Sequence, residues 1–123
     1  MAQFTGLSAL LLNCSLGHDS SRSHTRRLLS RVAGVMAGEG VEVELIHMLD
    51  HQVGVGMVED TTTLGDERDD WPAIHAKVMD ADILVIGTPI WLGAKSSVAS
   101  LVIERLYAYS GHTNDAGQYL YYG

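Results

Sequence analysis

The sequence has a single cysteine, Cys14, and this scarcity excludes an intrachain disulfide. A chain without disulfides fits a reducing compartment. The sequence also lacks an apolar run long enough to span a membrane. No lysine or arginine precedes Arg22, so the positively charged segment that opens a secretory signal is missing. We therefore expect a cytoplasmic protein with no membrane partner.

Basic residues are also scarce. Eight lysines and arginines face fifteen aspartates and glutamates, which gives a formal net charge of -7. Such a chain repels the phosphates of a nucleic acid, so we expect no nucleic-acid partner. Four of the eight basic residues nevertheless lie between Arg22 and Arg31, and a local cluster of this kind favours a small anion. Residues 59–70 are acidic instead, and the stretch DERDD at residues 66–70 predicts a solvated face ahead of a helix.

Short apolar runs alternate with segments of helical period along the 123 residues, a length that suits one domain. The continuous runs at residues 7–15 and 82–87 predict strands buried on both faces. Residues 41–48 alternate between apolar and polar side chains, which predicts a half-exposed strand at a sheet edge. A helical pattern follows each predicted strand, and this order favours an α/β fold with a parallel sheet covered by helices on both faces.

Cap residues and one polar segment fix the positions of the helices. Asp70 is predicted to cap the second helix, with Pro72 in its first turn. Ser96 or Ser97 is predicted to cap the third. Residues 50–70 are polar and contain glycine, which predicts a long loop, and long loops in compact domains are often functional.

Two loops follow the buried strands, where open parallel sheets bind their ligands. The first, residues 14–25, is rich in hydroxyls, which bind phosphate well at a helix start, although a helix cap and a solvated loop account for them equally. The second contains Ile90, Trp91 and Leu92, which can form an apolar surface against a flat aromatic ligand. Tryptophan packs more often into a core or an interface, so this alternative stays open. Neither loop has the glycine pattern of a dinucleotide fold or a P-loop.

The stretches NCSLGHDSSRSHTRRLL and ADILVIGTPIWLGAKSSVASLVIERL resemble the two signature regions of the flavodoxin-like NAD(P)H-dependent FMN reductases. The resemblance implies a flavodoxin-like three-layer sandwich that binds FMN, with NAD(P)H as co-substrate. It implies contacts with the FMN phosphate at Ser15, Ser21, Ser23, His24 and Thr25. It implies contacts with the flavin ring from the loop made of Thr88, Pro89, Ile90, Trp91, Leu92 and Gly93.

The resemblance also implies a reaction. A hydride passes from the nicotinamide to the flavin and then to a small acceptor, such as a free flavin, a quinone, an azo compound or a metal ion. The flavin carries the redox chemistry, so the implied reaction needs no acid or base from the protein. By the same analogy we expect a homodimer.

The number of strands departs from the resemblance. A flavodoxin-like sheet has five parallel strands in the order 2-1-3-4-5, whereas this sequence predicts only three. We therefore expect residues 1–123 to form one domain that stops before the fourth strand. A bare third strand exposes an apolar edge, so the sequence is either a fragment or has its sheet completed by a partner chain.

Three other interpretations stay open. A low-molecular-weight phosphatase or arsenate reductase also places a cysteine after the first strand, but five residues separate it from its arginine, whereas seven separate Cys14 from Arg22. A buried, inert Cys14 explains the same residues.

An electron-carrying flavodoxin and a flavin-free interaction domain are the non-catalytic alternatives. His47 and His51 suit a metal only on a helix, and this stretch predicts a strand end, so surface or hydrogen-bonded histidines account for them.

Overall fold

A computed structural model describes residues 3–17 and 22–121 of the chain. Strands and helices alternate in it as the sequence predicts. In chain order the elements are β1 (Ser8–Asn13), α1 (His24–Gly38), β2 (Glu42–His47), α2 (Trp71–Asp80), β3 (Ile83–Gly87), β4 (Ile90–Trp91), β5 (Ala94–Lys95) and α3 (Ser97–Tyr107). Two short 3-10 helices, Met48–Asp50 and Thr61–Leu64, lie between β2 and α2.

β1 is the central strand of a parallel sheet with the order β2-β1-β3. Its last residue, Asn13, is in register with His47 of β2 on one side and with Gly87 of β3 on the other. The three strands therefore end together, at what we call the carboxyl edge of the sheet. The prediction that β1 is buried on both faces is confirmed, since every residue from Ala9 to Asn13 is buried.

Alternate side chains of β1 pack against different helices, because successive residues of a strand point to opposite faces. Ala9 and Leu11 belong to a cluster with Leu29 of α1. Leu10 and Leu12 belong to a second cluster with residues of α2 and α3. The sheet thus lies between α1 on one face and α2 with α3 on the other, which confirms the predicted three-layer arrangement.

β3 is less buried than its apolar sequence predicts. Leu84 is 37% exposed, and the other residues of the strand are only half-buried. The reason is position, because β3 lies at an edge of the sheet in the described part of the chain. A groove of about 440 Å³ runs beside it, with Leu84, Leu106 and Tyr121 among its lining residues.

The cap of α2 differs from the prediction. Asp70 occupies the position before the helix, but its side chain makes no capping bond. Its carboxylate instead accepts hydrogen bonds from the Arg68 side chain and the Gln52 N–H. The neighbouring Asp69 accepts the Trp71 N–H at 3.1 Å, so the first amide of the helix is satisfied by the residue one place earlier.

The long polar segment closes around a buried arginine, and we call residues 51–70 the Arg105 loop. Arg105 lies on α3, is fully buried and forms an ion pair of 2.6 Å with Asp69, whose side chain is also buried. Its guanidinium donates further hydrogen bonds to the backbone carbonyls of Gly54, Val58 and Glu59. A guanidinium has five N–H donors, and Arg105 makes five such bonds. The prediction of a solvated acidic face is therefore wrong for Asp69.

Burial acts on the pKa of Asp69 in the opposite direction to its hydrogen bonds. Removal from water raises the pKa of this carboxyl, whereas the Arg105 guanidinium and the backbone N–H groups of Thr61, Trp71 and Gly54 lower it. The hydrogen bonds prevail, and the pKa lies well below its usual range. Asp69 is therefore charged in the folded chain at neutral pH.

Two features are absent from the part of the chain that the structure describes. None of its helices combines the length and the apolar composition that crossing a membrane requires. None of its histidine, cysteine, aspartate and glutamate side chains cluster in threes or more as a metal site would need. Of the pair considered from the sequence, His47 hydrogen bonds with Asn13, and His51 lies beside Asp70.

Candidate functional site at the carboxyl edge

The carboxyl edge brings together the two loops that the sequence singles out. The Cys14 N–H donates to the Gly87 carbonyl at 2.8 Å. Ser96 caps α3 as predicted, accepting the Ala99 N–H at 3.1 Å, and donates its hydroxyl proton to the Cys14 carbonyl at 2.7 Å. The start of the first loop is therefore fixed to the end of β3 and to the start of α3.

Ser15 has a buried hydroxyl without a partner. Ser15 lies in the loop after β1 and is 5% exposed. The Ser15 N–H donates to Asn13 Oδ1 at 3.1 Å, but the Ser15 Oγ makes no hydrogen bond within the described residues. A buried polar group left unpaired costs about 1–3 kcal/mol. The hydroxyl is thus suited to an oxygen that a ligand brings.

The other predicted phosphate contacts lie at or before the start of α1. Ser21 lies outside the described residues. Ser23 caps the helix, since its Oγ accepts the Arg26 N–H at 3.0 Å, and a hydroxyl that accepts one bond can still donate its proton. His24 is exposed and Thr25 half-buried in the first turn. Backbone N–H groups there lack acceptors within the helix and favour an anion.

The second loop forms a small hairpin in place of the irregular loop expected from the sequence. β4 and β5 pair antiparallel, Ile90 with Lys95 and Trp91 with Ala94. Leu92 and Gly93 connect them with φ values of 52° and 78°. Two successive positive φ angles are typical of a type I′ turn. Glycine adopts this conformation at little cost, whereas leucine rarely does.

The hairpin presents apolar side chains to solvent and is held firmly at its base. Ile90 is 69% exposed, Trp91 52% and Leu92 106%. Pro89 is half-buried. Thr88 Oγ1 accepts the Ser96 N–H at 3.0 Å and donates to the Pro89 carbonyl at 2.8 Å. All the residues of the predicted ring loop therefore lie in one short segment whose base is tied to α3.

The two tryptophans lie in opposite environments. Trp71 is fully buried, and the Arg105 guanidinium lies 5.7 Å from the centre of its ring. Packing into the core, which the sequence allowed for Trp91, is thus observed for Trp71. Trp91 keeps an exposed aromatic face on the hairpin.

Two buried polar residues behind the site were not predicted as site residues. Asn13 is fully buried and His47 is 5% exposed. Asn13 Nδ2 lies 3.1 Å from His47 Nδ1, and His47 Nε2 lies 2.8 Å from the Gly17 carbonyl oxygen. An asparagine at the end of an apolar run is a signal that could have found them, since buried polar groups need partners. Their pairing, however, depends on the register of β1 and β2.

The chemistry of Cys14 bears on the phosphatase alternative. The residue is fully buried, and burial raises the pKa of its thiol to about 12. A nucleophilic cysteine needs a lowered pKa, because the thiolate is the attacking species. The environment of Cys14 instead favours the inert thiol that the sequence left as the other explanation.

Comparison with known proteins identifies a matching family and several similar proteins. A family model described as NADPH-dependent FMN reductase matches residues 7–119. A protein of Mycobacterium bovis named divalent metal cation transporter MntH is 46% identical over 121 residues, which cover 98% of this chain and 18% of that protein. The 8-demethyl-8-aminoriboflavin-5′-phosphate synthase of Streptomyces davaonensis is 33% identical over 121 residues, which cover 94% of this chain and 47% of that protein. The chain thus spans less than half the length of these relatives.

A solved structure supports the fold. The crystal structure of RosB with its bound intermediate, 8-demethyl-8-formylriboflavin-5′-phosphate, matches with a TM-score of 0.82 and 32% identity. The match covers 94% of this chain and 48% of the RosB chain. It confirms the flavodoxin-like α/β fold predicted from the resemblance. Because the family model also matches most of the sequence, the chain belongs to the NADPH-dependent FMN reductase family.

Proposed function

We propose that the chain is an FMN-binding oxidoreductase unit that passes a hydride from NAD(P)H through the flavin to a small acceptor. The observation that carries this proposal is the buried hydroxyl of Ser15 in the loop after β1, which has no hydrogen-bond partner within the described residues. Membership of the family and the riboflavin-5′-phosphate derivative bound to RosB support it.

The residues at the carboxyl edge fit the phosphate of FMN. Ser15 and Ser23 offer hydroxyl protons, and the first turn of α1 offers backbone N–H groups at His24 and Thr25. Ser21 belongs to the same proposed set. A phosphate at a helix start needs donors and little formal charge, because the aligned peptide dipoles already favour the anion. The net negative charge of the chain therefore does not oppose this proposal.

The hairpin fits the ring of FMN. Ile90, Trp91 and Leu92 present apolar surface, and Thr88 fixes the base of the segment. Pro89 and Gly93 complete the proposed ring contacts. Backbone N–H groups of this segment would donate to the polar edge of the ring. Bound FMN would supply the two-electron chemistry, while the protein orients the ring and leaves one face open to the nicotinamide.

The acceptor is proposed as a small molecule or ion. A flavin, a quinone and an azo compound are candidates. A trivalent metal ion deserves an early assay, because the Mycobacterium bovis relative is named as a transporter of divalent metal cations. One-electron reduction converts a trivalent ion into a divalent one, so each two-electron turnover would reduce two ions. We also propose a homo-oligomer, which sedimentation of the purified chain would test.

Titration of the purified chain with FMN tests the proposal. We expect saturable quenching of flavin fluorescence and a shift of the flavin absorbance bands. Trp91→Ala should weaken binding about tenfold, since stacking of an aromatic side chain on a flat base contributes roughly 1–3 kcal/mol. Tyr119→Ala is the matched control, because Tyr119 is 60% exposed but lies in the tail. Absence of saturable FMN binding by the unaltered chain would contradict the proposal.

Turnover is the second part of the test. The FMN-loaded chain should oxidise NADPH or NADH in the presence of an acceptor, and Cys14→Ala should retain this activity. A different outcome is that the unaltered chain releases phosphate from an aryl phosphate. If Cys14→Ala abolished that release, the result would favour the phosphatase. Binding of FMN without any oxidation of NAD(P)H would favour an electron carrier.

A further inference from the structure

We propose that His47 and Asn13 are positioning residues that give the site its preference for a phosphorylated flavin. They act through the segment Ser15–Gly17, which we call the phosphate turn. This inference rests on the proposed function, because it concerns how the phosphate of FMN is recognised. It goes further in naming two residues that do not belong to either predicted loop contact set.

The hydrogen bonds between these residues have defined directions. A backbone carbonyl only accepts, so the 2.8 Å contact with the Gly17 oxygen places the proton on His47 Nε2. The other ring nitrogen, Nδ1, is then an acceptor, and it takes a proton from Asn13 Nδ2 at 3.1 Å. Asn13 Oδ1 in turn accepts the Ser15 N–H at 3.1 Å. These hydrogen bonds form one chain, which we call the relay and which links His47 on β2, Asn13 on β1 and the phosphate turn.

Burial makes this relay selective for one arrangement. Asn13 is fully buried, and His47 and Ser15 are each 5% exposed. Water cannot easily replace a lost partner there, so breaking one bond leaves the other group unpaired. The parallel register that pairs Asn13 with His47 brings the two side chains together. The relay is thus fixed by the sheet, whereas the turn itself has no regular structure.

The relay holds both ends of the phosphate turn. At its start the Asn13 side chain takes up the Ser15 N–H and leaves the Ser15 Oγ as the unpaired group. At its end His47 binds the carbonyl of Gly17, whose φ of 96° is a conformation that glycine adopts readily. Both ring nitrogens of His47 are engaged, so His47 influences a ligand through the turn and not by direct contact.

Affinities for FMN and for riboflavin, which lacks the phosphate, test the proposal. Asparagine at position 47 places an oxygen near Nδ1 but no donor near Nε2, whereas glutamine restores a donor near Nε2. We expect His47→Asn and Asn13→Leu to weaken FMN binding about tenfold, as loss of a buried hydrogen bond does. Riboflavin binding should change by less than about twofold, because riboflavin does not use the turn. His47→Gln should recover part of the FMN affinity, because it restores the donor to the Gly17 carbonyl but not the acceptor for Asn13 Nδ2.

His51→Asn is the matched control, because His51 lies four residues away and is exposed. Thermal unfolding of each variant identifies a general loss of structure. Equal weakening of FMN and riboflavin, or no weakening of either, would overturn the positioning role while the unaltered chain still bound FMN. Failure of the unaltered chain to bind either flavin would instead overturn the proposed function and, with it, the phosphate preference.

The ring protonation of His47 supplies a readout that does not depend on flavin. In ¹⁵N-histidine-labelled protein, the nitrogen chemical shifts distinguish the protonated from the unprotonated ring nitrogen. We expect the proton on Nε2 of His47 in the unaltered chain and a change of its signals in Asn13→Leu. A proton on Nδ1 would break the relay as described and overturn the proposal.

Discussion

The loops that follow β1 and β2 leave the same edge of the sheet but satisfy their polar groups in different ways. After β1, hydrogen bonds with Asn13 and His47 hold the phosphate turn, and the Ser15 hydroxyl has no partner within the described residues. After β2, the Arg105 loop closes on a guanidinium that bonds to Asp69 and to three carbonyls. The first loop contains a hydroxyl donor that is not used within the described residues. The second loop uses all five N–H donors of the Arg105 guanidinium.

The difference bears on the proposed function, because it distinguishes the loop that we propose binds a phosphate from one whose polar groups are satisfied within the fold. A buried charge draws attention as a candidate for function, yet Arg105 has no N–H left for a ligand. Ser15 is uncharged and small, yet it has a hydroxyl to offer next to the exposed residues Leu16 and Gly17. Thr61 Oγ1 and Trp71 Nε1 also lack partners within the described residues, but Thr61 in the Arg105 loop and Trp71 in α2 are both fully buried. An unpaired group points to a ligand when an open loop adjoins it.

Removal of one partner from the buried ion pair should have the largest effect. We expect Asp69→Leu to lower the free energy of unfolding by about 3–5 kcal/mol, because it leaves the buried Arg105 charge uncompensated. Urea or guanidinium unfolding followed by circular dichroism measures the change. Arg68→Ala is the control, since the Arg68 side chain is 65% exposed and solvent screens its ion pair with Asp70, so its removal should change stability far less. Similar losses from the two variants would remove the distinction between the buried and exposed pairs.

Acid should reveal the same ion pair without a loss of side-chain volume. The pKa of Asp69 is lower in the folded chain than in the unfolded one, so the unfolded chain takes up the proton first as the pH falls. Stability from this group is complete above about pH 5 and declines below about pH 4, at up to about 1.4 kcal/mol per pH unit. Unfolding of the unaltered chain and of Asp69→Asn across this range measures the difference. The variant should start less stable and lose less stability in acid, and parallel pH profiles would contradict the assignment.

Much of the fold follows from sequence pattern because the pattern reports burial directly. The apolar run of β1, the alternating Glu42 and Glu44 of β2 and the cap at Ser96 each need only local information. The exposure of Leu84 could not be predicted in this way, because it depends on which strand lies at the edge of the sheet.

The site could be predicted in part. Motif and resemblance supplied the proposed contacts around the start of α1 and in the hairpin, and these contacts stay predictions. Arg105 was missed because a charged residue on a helix is usually exposed. The relay between Asn13 and His47 was missed because the two residues meet only through the register of β1 and β2.

Removal of the Ser15 hydroxyl should separate binding from stability. We expect Ser15→Ala to weaken FMN binding about tenfold, because a phosphate oxygen loses a donor. The flavin-free protein should be unchanged or more stable by up to about 1 kcal/mol, since the lost hydroxyl has no partner within the described residues. Fluorescence titration and thermal unfolding measure the two quantities. If Ser15→Ala lost as much stability as Asp69→Leu, the Ser15 hydroxyl would have a structural role and not a binding role.

The turn of the hairpin should give the smallest effect and extend the comparison to backbone strain. Leu92 has a φ of 52° and is fully exposed, so its side chain gains nothing from burial that offsets an unfavourable conformation. Asparagine tolerates positive φ better than leucine or alanine. We therefore expect Leu92→Asn to be more stable than Leu92→Ala by about 0.5–1 kcal/mol in thermal unfolding. If alanine matched asparagine, the turn would carry no measurable strain. If the expected gain came with weaker FMN binding, the leucine would be kept for its contact with the flavin, as we propose the Ser15 hydroxyl is kept for the phosphate.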